Sequence, residues 1–249
     1  MRSEINYPII GKIIGILLIL EGVFMFLSLP FSVHFQEPNL NTFRLFMPEY
    51  DFWPLVLSGA ITIFFGLFLF LIFRKAPKTM SKREGYIIVS FSWVVISVFG
   101  AFPLFFAGVT NYADAFFETV SGFTTTGATI LTDIEGVSKG LLFWRALTHW
   151  IGGMGIIVLS LAILPVLGIG GMSLFVAEVP GPTPDKLHPR ITATAKRLWG
   201  IYVLLTFVET LLLMLGGMDL FEGLSHAFAT MATGGFSTRD ASIAAFSPY

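Results

Sequence analysis

The sequence predicts an all-α polytopic membrane protein built from transmembrane helices with re-entrant pore loops, in helix–pore-loop–helix repeats. Three observations carry this. The 249 residues are 55% hydrophobic and only 12% charged, against about 25% charged in a soluble domain. Five apolar runs reach the ~20 residues that a membrane crossing needs. Two outward segments share a Thr-Gly pattern preceded by a short helical stretch. The 27 phenylalanines and a mean hydropathy of +0.80 exceed what a water-soluble globule of this size can bury. A soluble enzyme and a disordered regulator are excluded on that ground, and the net charge of −1 gives no field for a nucleic acid. With no cysteine, the chain has no disulfide framework, thiolate nucleophile or Cys-based zinc site.

The five spans run over 9–29, 53–73, 85–107, 140–164 and 198–215. Pro30 stops the first, Pro165 follows the fourth and Gly216-Gly217 ends the fifth. The first run is long and lacks a small-residue cleavage site, so it reads as a retained helix. Orientation follows from basic residues in the loops. Arg2, Lys12, Arg74, Lys75, Lys78, Lys82, Arg83, Lys186, Arg190, Lys196 and Arg197 fall on one side, eleven against the three of Arg44, Lys139 and Arg239. The N-terminus is therefore expected in the cytoplasm, with 30–52, 108–139 and 216–249 outside. Trp53, Trp144 and Trp150 sit near the expected outer interface and Trp199 near the inner one, as an aromatic belt does.

The two later outward segments resemble each other. Each opens on a helix-start signal, Asn111 with Asp114 and Asp219 with Glu222. Each continues for some ten helix-compatible residues, too few to span, and ends in a Thr/Gly stretch of poor helix propensity. Matched letter by letter, Thr126-Gly127 aligns with Thr233-Gly234. Non-helical backbone at membrane depth is tolerated only inside protein or along a watery cavity. Glycine opens backbone angles that let successive carbonyls face one axis, where a ring of them replaces the water shell of a monovalent cation. The negative C-terminal end of each short helix favours the same cation.

These residues resemble the Trk/Ktr/HKT superfamily of potassium transporters, most closely its TrkH-type subunits. The carrying pieces are Phe116-Phe117-Glu118 through Gly127-Ala128-Thr129, Trp144-Arg145 through His149-Trp150-Ile151-Gly152-Gly153-Met154-Gly155, and Ala229-Thr230-Met231-Ala232-Thr233-Gly234-Gly235-Phe236-Ser237-Thr238. The resemblance implies four repeats around a pseudo-fourfold pore, with one key glycine per loop, here Gly127 and Gly234. It implies filter backbone from Thr125, Thr126, Gly127 and Ala128 and from Ala232, Thr233, Gly234 and Gly235. K+ would be held by the carbonyls of Thr125, Thr126, Gly127, Thr233 and Gly234. Sodium-preferring members often carry Ser at the first glycine, so Gly127 favours K+. The family further implies a homodimer in the inner membrane, among membrane lipid, with a cytoplasmic TrkA-type nucleotide-binding regulatory subunit. The alternatives are sodium or other monovalent cation transport, or a partial chain that cannot conduct alone.

In domain terms, 1–80 reads as an N-terminal two-helix extension, 81–166 as the first repeat and 167–196 as a cytoplasmic loop. Residues 197–249 then form a second repeat cut off after its filter. With ~80 leading residues, four repeats need roughly 500 residues, so this length reads as half of such a protein. Among the remaining polar groups, Glu118 is expected to brace the first filter from its pore helix. Arg145 and His149, four apart on one helix face, are expected as structural clamps, with Glu118, Asp114 or Asp133 as partners. Glu21 and Glu209 lie inside spans one and five; a structural role is preferred there to a proton relay. Gly152, Gly153 and Gly155 read as close-packing residues rather than a hinge. No Gly-x-Ser-x-Gly, P-loop or His-Glu-x-x-His occurs, so neither an enzyme nor an organic cofactor is expected.

Overall fold

The structure, a computed structural model, describes residues 5–34, 47–76, 82–167 and 187–246, with side chains undescribed at 34, 47, 48, 82 and 156–195. Arg2, Arg44, Lys78 and Lys186 of the charge asymmetry, the side chains of Lys82 and Arg190, and most of the expected loop 167–196 lie outside these. Helices α1 (Tyr7–Phe26) and α2 (Phe52–Ile72) form an antiparallel hairpin. Glycines set its closeness: a Cβ on Gly15 would stand 2.8 Å from the Gly66 carbonyl oxygen, and one on Gly22 would stand 2.8 Å from that of Gly59. Without side chains at those points the two backbones approach to a distance that dispersion rewards in lipid. A 3-10 turn over Leu29–Ser32 and a two-residue antiparallel ladder, Val33–His34 with Met47–Pro48, bound the connection. Lys12 Nζ donates to the Arg74 carbonyl at 3.1 Å, which places the start of α1 beside the end of α2.

The third predicted span arrives as two helices, α3 (Lys82–Gly100) and α4 (Phe102–Phe106). Pro103 lacks the N–H that would continue the ladder, so the chain steps at Ala101. The short α5 (Tyr112–Phe123) follows, then the 29-residue α6 (Lys139–Leu167). Helix α7 covers Leu187–Leu215, so the backbone is already helical well ahead of the predicted span, within what the sequence reads as loop. Pro189 in its first turn suits a helix start, where the missing N–H costs nothing. The short α8 (Leu220–Met231) completes the order.

Among the described residues four helical segments have the length and apolarity to cross a membrane: Tyr7–Ser32, Phe52–Ile72, Arg83–Phe106 and Lys196–Leu215. The fourth predicted span is the continuous helix α6. The exposure pattern inverts that of a soluble protein. Phe64, Phe68, Leu204, Phe207 and Leu212 face outward, while Glu21, Glu118, Arg145 and His149 are buried. The main core joins Leu55, Leu104, Phe123, Leu141, Trp144 and Leu147, and the Trp144 indole donates to the Gly100 carbonyl at 3.0 Å. That core seats α6 between the two short helices and so fixes the loops that follow them.

Candidate functional site: two Thr-Gly loops and their clamp

Each short helix begins on a side-chain cap. The Asn111 amide oxygen accepts from the Asp114 N–H at 3.0 Å, and the Asp219 carboxylate from the Glu222 N–H at 2.7 Å. Each cap satisfies one of the N–H groups that a helix start leaves orphaned. The two C-terminal ends are also built alike. Thr125 N–H donates to the Gly122 carbonyl and Thr126 N–H to that of Ser121. In the second loop Thr233 N–H donates to Thr230 and Gly234 N–H to Ala229. Thr125 and Thr233 then take φ of 55° and 57°, and Gly127 and Gly235 take 75° and 89°. Caps, hydrogen bonds and dihedrals all pair Asn111 with Asp219, Thr125 with Thr233 and Gly127 with Gly235. This corrects by one position the alignment given by matching Thr-Gly letters. The helix end fixes the register, and the doubled glycine at 234–235 lets the letters slide by one. The backbone counterpart of Gly127 is therefore Gly235, and Gly234 corresponds to Thr126.

In both loops a left-handed residue, a residue outside that region and a left-handed glycine follow one another. Such alternation turns successive peptide carbonyls toward one side of the chain. A β-branched threonine at positive φ costs on the order of 1–3 kcal/mol and persists only where its surroundings over-determine it. The two loops meet: a Cβ on Gly127 would collide with the Gly234 carbonyl oxygen. Thr126, Ala128, Thr233 and Gly235 are exposed, while Ala232 and Gly234 are buried against the helices.

Helix α6 runs behind this pair. A Cβ on Gly152 would strike the Phe123 carbonyl, and one on Gly153 would stand 3.1 Å from Ala232. Phe123 ends the first short helix and Ala232 caps the second, so these glycines act in close packing and bring α6 against both loop bases.

Of the three acids expected as partners for Arg145, the structure selects Glu118. Arg145 Nε donates to Glu118 Oε1 at 2.6 Å, with both side chains almost fully buried. Glu118 also accepts from Thr129 Oγ1 at 2.8 Å and from the Ile130 N–H at 3.0 Å, fastening the strand beyond the first loop to its own helix. Arg145 Nη1 reaches the Ser237 carbonyl of the second loop at 3.0 Å. One guanidinium thus ties the two loops together, its charge matched by the Glu118 carboxylate. Asp114 instead accepts from Asn111 and Thr110, and Asp133 from the Gly136 N–H. Among the described residues His149 takes no acidic partner; it stacks on Phe236 with centroids 3.9 Å apart, and a Cβ on Gly234 would strike its ring. Arg145 lies 3.6 Å from the centroid of the same Phe236 ring, so Phe236 is held between the two.

Sequence reasoning gave no individual role to Phe236, Thr129, Ser237 or His226. In the corrected register His226 is the counterpart of Glu118. Its Nε2 lies 3.3 Å from Thr238 Oγ1, so it fastens the second loop where Glu118 fastens the first. That register was the signal that finds it. Hydrogen bonding to Glu222 raises the Arg239 pKa above its ordinary value, and Glu135, beyond the first loop, lies 3.5 Å from the same guanidinium. Asp240 accepts from the Ile134 N–H at 2.8 Å, a second tie between the repeats.

Helices long and apolar enough to cross a membrane, packed around two facing loops with matched left-handed positions, define a helical membrane protein with re-entrant segments. The family described as TrkH, cation transport protein, matches residues 55–249. Similar proteins include the Trk system potassium uptake protein TrkH of Halomonas elongata, 42% identical over 94% of this chain and 47% of that protein. That of Escherichia coli K12 is 52% identical over 70% of this chain and 36% of that protein. The crystal structure of the potassium transporter TrkH from Vibrio parahaemolyticus superposes with a TM-score of 0.80 at 37% identity, covering 98% of this chain and 47% of that one. The chain belongs to the TrkH family, and it spans about half the length of these relatives.

Proposed function

We propose that this chain supplies two of the filter segments of a potassium uptake system in the inner membrane. The observation that carries the reading is the twice-built loop: the same caps, hydrogen bonds and left-handed positions at matched points of two segments, with Gly127 against the Gly234 carbonyl. In this reading the carbonyls of Thr125, Thr126 and Gly127 and of Thr233, Gly234 and Gly235 replace the water around K+. Ala128 and Ala232 flank them. Glu118, Arg145 and His149 hold the loops without touching the ion. K+ is the cargo, moved down its electrochemical gradient, and the chain itself uses no organic cofactor and performs no enzymatic step.

The reading extends to the organisation of the chain. Residues 1–80 form a two-helix extension, 81–166 a first repeat, 167–196 a cytoplasmic connection and 197–249 part of a second repeat. The N-terminus is cytoplasmic. The assembled protein is a homodimer carrying a TrkA-type regulatory subunit, which the basic segments at 74–83 and 186–197 would face. Support for these parts is the charge asymmetry and the family, whose members are named for potassium uptake. The test is complementation. The full-length gene should restore growth on low potassium to a strain lacking its own uptake systems, and Gly127→Ser or Gly235→Ser should remove that growth. Growth unchanged in both variants would refute the filter.

A further inference from the structure

A second feature lies away from the loops. Among the described residues four carboxylates are buried: Glu21, Asp51, Glu84 and Glu118. Glu118 has three donors, Asp51 accepts from Ser32 and Glu84 accepts from the Asn6 N–H. Glu21, 4% exposed, has no donor at either oxygen among the described residues. It lines a cavity of about 370 Å³ between α1, α3 and α6, with the first residues of the spanning part of α7 at its edge. Ser92, 8% exposed, lines the same cavity, and its hydroxyl also has no partner among the described residues. The rest of the wall is apolar and rich in rings: Phe24, Trp93, Phe123 and Trp199.

An unpaired carboxylate in an apolar surround is among the most costly groups to bury. Two orphaned polar groups facing one cavity mean that hydrogen-bonding capacity is left for a guest. Cavities of this size hold small molecules, with a few polar groups fixing orientation against an apolar wall. A carboxylate among aromatic faces is the chemistry that selects an organic cation, whose charge both attract. We propose that this cavity is a binding site for a lipophilic organic ammonium ion, its N–H groups on Glu21 and Ser92 and its body against the rings. Leu20 and Trp199 line the cavity and are also exposed in this chain, so the cavity opens at the helix surface, where such a guest can enter. The site is tied to the first loop: Glu21 Oε1 stands 2.8 Å from where a Cβ on Gly100 would sit, and Phe123, in the cavity wall, is the last residue of α5.

The test uses the full-length protein in detergent and two probes of one shape, 1-adamantanamine and the neutral 1-adamantanol, titrated by calorimetry. The amine should bind saturably at one site per chain, and Glu21→Gln should weaken it at least tenfold while leaving the alcohol unchanged. Val89→Trp, which fills the cavity and keeps the carboxylate, should abolish the amine's saturable binding. Monodisperse elution and an unchanged melting temperature establish that each variant is folded. Amine affinity equal in wild type, Glu21→Gln and Val89→Trp would overturn the proposal, as would the absence of saturable amine binding to the wild-type protein.

Discussion

Thr125 and Thr233 hold β-branched side chains in a backbone region that suits glycine, and they do so at equivalent points of two loops. What enforces this is the ring of contacts behind them, above all Arg145 between Glu118 and Ser237. Replacing Arg145 by Met leaves Glu118 buried without its cation, a change worth about 3–5 kcal/mol in comparable pairs. The expected outcome is a lower melting temperature of the purified protein together with lost uptake. Arg145→Lys keeps the charge but not the fork, so it cannot serve Glu118 and the Ser237 carbonyl together. It should fold and admit Na+ more readily, measured as a fall in the K+/Na+ uptake ratio. The sequence showed Arg145 and three acids within reach; only the folded chain chooses among them, because helix spacing fixes a face and not the partner across from it. Phe236 was unreadable for the same reason, since its two neighbours come from another helix.

At the scale of elements, the spans, the caps and the two short helices were legible, because apolar length and cap chemistry are local properties of the chain. The register between repeats was not, since a slide of one residue across Gly234-Gly235 changes no local preference while the hydrogen bonds closing the helix end do. The early start of α7 escaped for a related reason: its first turns are polar and carry no apolar signal. Close packing of α6 makes a sharp prediction. Gly152→Ala drives a Cβ into the Phe123 carbonyl, whereas a Cβ on Gly200 meets nothing within 4 Å among the described residues. Uptake by Gly152→Ala should fall at least tenfold and that of Gly200→Ala should equal wild type in a rubidium tracer assay. The caps should contribute about 1 kcal/mol each, so Asn111→Ala and Asp219→Ala should lower the melting temperature modestly and by similar amounts.

For the whole molecule, the proposed topology puts Lys75 in the cytoplasm and Glu135 outside. The 249-residue chain has no cysteine, so a single one introduced into it at either position reports cleanly. A membrane-impermeant maleimide should label Glu135→Cys in intact cells and Lys75→Cys only after the membrane is opened; the reverse pattern would invert the topology. The two loop segments tied by Arg145, Arg239 and Asp240 form one block in a chain about half the length of its relatives. The central claim is that Gly127 and Gly235 are matched positions of one filter. Its most direct measurement is the K+/Na+ permeability ratio of the full-length protein in reconstituted bilayers, for wild type, Gly127→Ser and Gly235→Ser. Wild type should prefer K+, and both variants should lose most of that preference. A ratio unchanged in both variants would contradict the account.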